Sequence, residues 1–386
     1  MDKRIGNWIL ELGNKLMNRR LYYLDYLRVA LTVLVIIHHT AIAYGAGGSW
    51  IYEDVDKSEL TISMILLTIF TAINQSFFMG FFFFLSGYFT PKSYDRKGSV
   101  SFLKDRFVRL GIPLLVYVLL LGPVITYVAH FRKVMSLSAY YQSQVLTLKT
   151  IHIGPLWFVE TLLYFNILYA VFRLIRKRKF PITIKALNSK LLLYSGILLG
   201  LIAFGVRLMY PVGEGVLGLQ FGYFPSYIFL FIAGMVAYRQ SWLEKIKPDL
   251  VKKWGRIAVM TIPLLPIALI LDGALEGNLH FEGGLNIQSF VYSMWEPFVA
   301  FGMILMLLQY FEQKVHTPNP FKQSLADSAY TVYIIHPVVI VGLSLLLTGI
   351  GIYPTVKFVM VSLIGTILCF AISWIIIKIP FANRVL

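Results

Sequence analysis

Long apolar stretches alternate with short polar segments along almost the whole chain. Each stretch is about 20 residues long, the length at which an α-helix crosses ~30 Å of hydrocarbon. The pattern predicts an all-α, polytopic membrane protein with about ten transmembrane helices and no soluble segment long enough to fold alone. We expect the spans near residues 23–45, 62–90, 106–129, 154–176, 190–210, 223–240, 255–272, 289–311, 325–349 and 352–379.

Composition and charge support these spans and orient them. Of the 386 residues, 58% are hydrophobic and 14% are charged, whereas soluble chains carry about 25% charged residues. If successive helices alternate in direction, all but six of the 35 Lys and Arg residues fall on one side. The six on the other side are Lys57, Arg132, Lys133, Lys149, Arg207 and Lys357. The positive-inside rule therefore predicts that both termini are cytoplasmic, and no nucleic acid is expected as a partner.

The first 20 residues precede the first predicted span. Their apolar positions recur at helical spacing from Ile5 to Leu16, and no small-residue cleavage site follows them, so they do not read as a signal peptide. We predict an amphipathic interfacial helix over residues 1–20 and a single transmembrane domain over residues 21–386. Because Cys369 is the single cysteine, neither a disulfide framework nor a Cys-based metal site is expected.

The first predicted span carries four ionisable side chains, which are expensive in a bilayer and mark either function or a wet cavity. Asp25 and Arg28 are three residues apart and can form a structural ion pair, or they can anchor the helix at the interface. His39 lies eleven residues beyond Arg28, so the two share one stripe about 16 Å apart. An extended ligand such as coenzyme A could use both. A structural hydrogen-bonding role for His39, and for His38 beside it, is the alternative.

Other polar groups follow in later spans. Arg106 and Arg109 are one helical turn apart and suit phosphate, although topology alone also favours arginines there. Ser86 offers a hydroxyl beside Gly87, which permits close approach of another helix. Glu160 lies inside the fourth span, where a carboxylate needs a partner or water.

Aromatic and polar residues also mark the fourth and ninth spans. Trp157 opens the fourth span and is typical of an interfacial belt. Tyr330, Tyr333 and His336 follow one another at helical spacing in the ninth span, and Pro337 comes next. Packing, snorkelling or a proline kink would each be a structural explanation for these residues.

These motifs occur together in a fixed order. They are Leu24-Asp25-Tyr26-Leu27-Arg28, His39, Phe84-Leu85-Ser86-Gly87-Tyr88, Arg106 and Arg109 with Pro113, Pro155-Leu156-Trp157-Phe158, and Ser328 to Pro337. The ordered set resembles the transmembrane acyltransferase-three family between residue 20 and about residue 345. The resemblance implies a ten-helix O-acyltransferase that moves an acyl group from acyl-CoA to a hydroxyl of an extracytoplasmic glycan. The segment His38-His39-Thr40-Ala41 is more similar to the periplasmic-glucan succinyltransferase branch.

The resemblance also implies roles for particular residues. His39 matches the catalytic histidine, acting as general base or carrying the acyl group, and Glu160 is the carboxylate that we expect to orient it. Acyl-CoA, either acetyl-CoA or succinyl-CoA, is expected to bind at Arg28, Arg106, Arg109 and Ser86. Substrate contacts are expected from Trp157, Tyr330, His336 and His38. No metal is expected.

A multi-pass enzyme of the bacterial cytoplasmic membrane is the location that this resemblance implies. Its expected partners are the lipid bilayer, acyl-CoA and an extracytoplasmic glycan or other hydroxyl acceptor, and a homodimer is left open. The alternative function is that of a secondary transporter or polysaccharide flippase without acyl-transfer activity. The sequence shows no internal repeat and no paired Gly/Pro-interrupted segments in two halves, which counts against a transporter.

Overall fold

The computed structural model of the protein describes residues 21–57, 61–147, 151, 153–176, 186–274, 277–315 and 319–386. The interfacial helix predicted over residues 1–20 lies outside these described residues. Within them, nine helical stretches are long and apolar enough to cross a membrane. The prediction of an all-α membrane protein is therefore confirmed, whereas the direction of each span and the side of each terminus stay predictions.

The elements follow one another with short connections. The α-helices are α1 (Tyr22–Ala43), α2 (Ile62–Arg106), α3 (Ile112–Val116), α4 (Gly122–Thr126), α5 (Leu137–Tyr140), α6 (Trp157–Ile175), α7 (Ser189–Arg207), α8 (Phe224–Gln240), α9 (Pro248–Thr261), α10 (Leu264–Leu271), α11 (Ile287–Lys314), α12 (Pro320–Leu346), α13 (Pro354–Ile376) and α14 (Ala382–Val385). Turns of π-helix cover Phe107–Gly111, Tyr117–Leu121, Tyr127–Phe131 and Tyr141–Val145, and 3₁₀ turns cover Gly154–Leu156, Phe221–Tyr223 and Leu243–Lys245. Strands β1 (Gly215–Val216) and β2 (Leu219–Gln220) pair antiparallel.

The second and third predicted spans belong to one helical stretch, from Ile62 to Phe131. Within it, two helices meet at Gly98 (φ 72°, ψ 170°), a conformation that glycine adopts at little cost, so the two predicted spans are separate helices that extend further toward each other than expected. Arg106 Nη2 donates to Ser93 Oγ at 3.2 Å, whereas thirteen residues of straight helix span about 20 Å. The chain therefore folds back on itself at Gly98.

The span expected over residues 255–272 is also divided. It forms α9, which begins earlier at Pro248, and α10, which begins at Leu264. Pro263 lies between the two helices and lacks the N–H that would continue the helical hydrogen bonds. The proline supplies the physical reason for the break.

Two prolines shape the stretch after Gly98, namely Pro113 and Pro123. Each lacks an N–H and cannot donate to the preceding turn, and an unsatisfied backbone group is costly in a bilayer. In each of these preceding turns a carbonyl accepts a tyrosine hydroxyl: Arg109 O from Tyr330 Oη at 2.7 Å, and Leu119 O from Tyr141 Oη at 3.2 Å. The first of these bonds ties the stretch to α12.

Helices α2 and α8 cross in backbone contact, which confirms the close approach expected at Gly87. A Cβ atom on Gly87 would lie 2.1 Å from the carbonyl oxygen of Phe231. On the facing helix, a Cβ atom on Gly234 would lie 2.0 Å from the carbonyl oxygen of Phe84. The absence of side chains at these two positions thus sets the distance between the two helices.

We predict that Gly87→Ala lowers the free energy of unfolding by about 1–3 kcal/mol, because α2 and α8 would have to separate to accommodate the methyl group. Thermal unfolding of the purified protein in detergent measures the effect. Gly205→Ala is the matched control, since a Cβ atom there meets nothing within 4 Å. Equal unfolding temperatures for the two variants would contradict the close crossing.

Candidate active site

His39 of α1 and His336 of α12 form a hydrogen-bonded pair. His39 Nδ1 lies 3.0 Å from His336 Nε2, and the two rings stack at 13° with centroids 5.1 Å apart. His336 Nδ1 in turn lies 2.6 Å from the carbonyl oxygen of Tyr333. That carbonyl is four residues before Pro337, which has no N–H to offer it. Because of this proline, the Tyr333 carbonyl is free to accept a hydrogen bond from the His336 ring.

The chain of contacts determines where the protons of the neutral rings lie. A carbonyl oxygen can only accept, so His336 Nδ1 carries the hydrogen and His336 Nε2 keeps a lone pair. His39 Nδ1 must then donate to that lone pair, which leaves His39 Nε2 unprotonated. An imidazole held in one tautomer with a free Nε2 is equipped to accept a proton or to attack a carbonyl carbon.

Trp50 covers this pair from the loop between α1 and α2. Its indole stacks on the His39 ring with centroids 4.1 Å apart and an interplanar angle of 17°. The loop is fastened by a buried ion pair in which Lys357 Nζ of α13 lies 2.6 Å from Asp54 Oδ2. Sequence reasoning missed Trp50, because a loop residue carries no periodicity that would indicate its neighbour.

His39 faces a cavity of about 430 Å³, called here the histidine-end cavity. Its wall combines flat aromatic rings with amide and carboxyl groups. Its lining residues include His38, His39, Trp50, Gln75, Trp157, Gln220, Tyr223, Tyr227, Glu282 and Tyr292. Trp157 and Tyr227 stack at 23° with centroids 5.3 Å apart. Among the described residues, neither Lys nor Arg lines this cavity, so it suits a neutral polar ligand.

The predicted acyl-CoA residues meet in a second cavity, of about 620 Å³, called the arginine-end cavity. It is lined by Arg28, Arg106, Arg109 and Ser86, together with Asp25 and Tyr330. The fold therefore gathers all four residues of the predicted donor site around one space, although they come from α1, from α2 and from the π turn that follows α2.

Positive charge at the arginine end is only partly neutralised. Arg28 pairs with Asp25, as predicted, and its side chain is still 44% exposed. Asp105 lies near three cations at once: Lys97 at 2.9 Å, Arg109 at 3.5 Å and Arg106 at 3.9 Å. Three arginines and two aspartates, Asp25 and Asp327, line the cavity, so an excess of positive charge is left that can bind phosphate groups.

Two expectations from the sequence need correction. Glu160 does not orient His39: its Oε1 accepts a hydrogen bond from Tyr164 Oη at 2.6 Å, and the ring partner of His39 is His336. His336 was expected to touch substrate, but it is fully buried, it lines neither cavity, and its Nε2 is hydrogen-bonded to His39. Both errors have one physical reason, which is that α12 and not α6 packs beside His39.

A buried ion pair supports the far wall of the histidine-end cavity. Arg207, which is 0% exposed, pairs with Glu296 of α11. The Arg207 guanidinium also lies 5.3 Å from the ring centre of Tyr223 and 4.7 Å from that of Tyr292. Sequence reasoning placed Arg207 near the end of the predicted span 190–210, among the six cations of the less basic side, and it passed over Glu296, although a carboxylate within a predicted span is itself a signal.

The fold and these cavities define a multi-pass membrane protein with a histidine pair beside an aromatic cavity and with a second, cationic cavity. The family model described as an acyltransferase domain matches residues 21–378, nearly the whole chain. The chain therefore belongs to acyltransferase family 3 and is an enzyme that transfers acyl groups. No curated protein matches the chain at a significant level.

We predict that Arg207→Met lowers the free energy of unfolding by about 3–5 kcal/mol, because Glu296 is left as a buried charge without its partner. The double variant Arg207→Met/Glu296→Leu should recover most of that loss, since both charges are gone. Unfolding of both variants in detergent, followed by tryptophan fluorescence, gives the comparison. A double variant as unstable as the single one would contradict the pairing.

Proposed function

We propose that this protein is an integral membrane O-acyltransferase that moves an acetyl or succinyl group from acyl-CoA to a hydroxyl of a carbohydrate. The observation that carries the proposal is the position of His39. It lines an aromatic cavity at one end of α1, and Arg28 lines a cationic cavity at the other end. Donor and acceptor can then approach one imidazole from opposite ends of the bundle.

The arginine-end cavity is the proposed donor site. The 3′-phosphate and diphosphate of acyl-CoA bind near Arg28, Arg106 and Arg109, whose guanidinium groups match phosphate oxygens. About eleven residues of helix separate Arg28 from His39, or ~16 Å, and an extended pantetheine arm covers that distance. The thioester is thereby delivered beside His39, and Ser86 lies along the same cavity.

The histidine-end cavity is the proposed acceptor site. Carbon–hydrogen edges of a sugar ring pack on flat aromatic faces such as those of Trp157 and Tyr227. The hydroxyl groups of the sugar find donors and acceptors in Gln75, Gln220 and the side chain of Glu282. The lack of lining Lys or Arg among the described residues favours a neutral glycan over an anionic acceptor.

The transfer conserves atoms and protons. His39 Nε2 removes the proton of the acceptor hydroxyl while that oxygen attacks the thioester carbon. The C–O bond forms, the C–S bond breaks, and the proton passes from His39 to the departing CoA thiolate. If His39 attacks first, an acyl group resides on Nε2 before the acceptor takes it. Retention of labelled acyl group on the protein without acceptor distinguishes this second route.

The topology predicted by the positive-inside rule places the arginine end at the cytoplasm, where acyl-CoA is made. The acceptor would then be a glycan outside the cytoplasmic membrane of a bacterium. Both termini would be cytoplasmic in this arrangement. The donor and acceptor sites would lie on opposite sides of the bilayer, with the imidazole pair between them.

We predict that His39→Ala abolishes acyl transfer and that His336→Leu lowers kcat by about 10²–10⁴-fold, because His39 loses the partner that sets its tautomer. His336→Gln should restore part of the rate, since its side-chain oxygen can accept from His39 Nδ1. Labelled acetyl-CoA and succinyl-CoA, incubated with membranes and envelope glycans, report the rate. The exposed His280 provides the control His280→Ala, which should match wild type; retained transfer by His39→Ala would refute the site.

We also predict that Arg106→Gln raises KM for acyl-CoA about tenfold or more while changing kcat little, because a charge-assisted bond to phosphate contributes roughly 1.5–3 kcal/mol. Lys253→Gln removes the same charge from an exposed site outside both cavities and serves as control. Initial rates over a range of acyl-CoA concentrations separate KM from kcat. An unchanged KM in Arg106→Gln would argue against donor binding at the arginine end.

A further inference from the structure

One side chain lies between the two cavities. Among the residues that the structure describes, Tyr333 alone lines both the arginine-end and the histidine-end cavity. It is 5% exposed, and its ring meets Phe158 edge to face with centroids 5.7 Å apart. Phe158 lines the arginine-end cavity. The two rings therefore form a wall between the space that holds the arginines and the space that holds His39.

The hydroxyl of Tyr333 holds the ring in this wall through a hydrogen bond. It donates a hydrogen bond to the carbonyl of Pro155, in the 3₁₀ turn that leads into α6. Pro155 itself lines the histidine-end cavity. A buried hydroxyl that loses its partner is costly, so this bond holds the ring in the wall and keeps it out of either cavity.

The main chain of Tyr333 belongs to the histidine pair. Its carbonyl accepts the hydrogen of His336 Nδ1, and its ring centre lies 5.7 Å from that of His336. One turn of α12 thus carries both the wall and the support for the reactive imidazole. Any group that passes the wall arrives beside His39.

We propose that Tyr333 is a specificity-determining residue whose ring limits the size of the acyl group that reaches His39. This inference rests on the proposed function and adds a size filter to it. An acyl group carried by a thioester in the arginine-end cavity has to pass this ring to reach the imidazole. A two-carbon or four-carbon group fills less of the space beside the ring than an eight-carbon chain does. Before the thioester passes, the same ring separates it from water in the histidine-end cavity.

The test compares acetyl-CoA, succinyl-CoA and octanoyl-CoA as donors for the purified full-length protein. Release of free CoA thiol is measured with and without an oligosaccharide extract of the cell envelope. Tyr333→Leu should raise the ratio of kcat/KM for octanoyl-CoA over acetyl-CoA at least about tenfold, the scale on which pocket size discriminates methylene groups. It should also increase thiol release in the absence of the extract, because the thioester is exposed to water.

The Tyr333→Phe variant is a control for misfolding, because it keeps the ring and removes only the hydrogen bond to Pro155. We expect it to change the donor ratio less than threefold and to raise thiol release without the extract. Tyr194→Leu is the matched control, because Tyr194 is 67% exposed on α7 and lines neither cavity. It should match wild type in all measurements.

Two results would overturn the size filter. One is a folded Tyr333→Leu protein with the donor ratio of wild type. The other is an equal loss of transfer from all three donors in both folded variants, which would assign the ring to the reaction itself. If wild type releases thiol from none of the donors, the proposed function fails and the filter fails with it.

Discussion

A backbone carbonyl inside an apolar helix has no water to pair with, so a proline four residues later obliges the fold to provide another donor. In α12, Pro337 frees the carbonyl of Tyr333, and the Nδ1 hydrogen of His336 occupies it. That single bond sets the tautomer of His336 and, through it, the lone pair on His39. The arrangement of the hydrogen-bonded histidine pair depends on this one carbonyl.

The helix bundle contains two kinds of arginine, one buried in an ion pair and the other lining a cavity. Arg207 and Glu296 are paired with each other and buried, so neither side chain is accessible to a ligand. Arg106 and Arg109 instead share the carboxylate of Asp105 and line an open cavity. A buried pair contributes little net stability but is costly to break, whereas partly compensated guanidinium groups are available for an anion. The difference is between a cation buried in an ion pair and cations that line an open cavity.

The two cavities are consistent with the membership of the chain in acyltransferase family 3. Acyl transfer requires two ligands of different chemistry to meet at one reactive group. The cationic cavity and the aromatic cavity differ in that way, and their shared wall lies next to the histidine pair. The order of α1, α6 and α12 around this wall brings together residues that lie far apart in the chain.

The sequence by itself determined the apolar helices, because a bilayer demands about 20 apolar residues in each span and that demand is local. It also determined that Arg28 and His39 lie at opposite ends of α1, since helical rise and rotation follow from spacing alone. Only the tertiary structure decided that His39 pairs with a residue 297 positions away instead of with Glu160, and that Trp50 covers it. Periodicity records which face of a helix is apolar, but the partner of a polar side chain depends on how the helices pack.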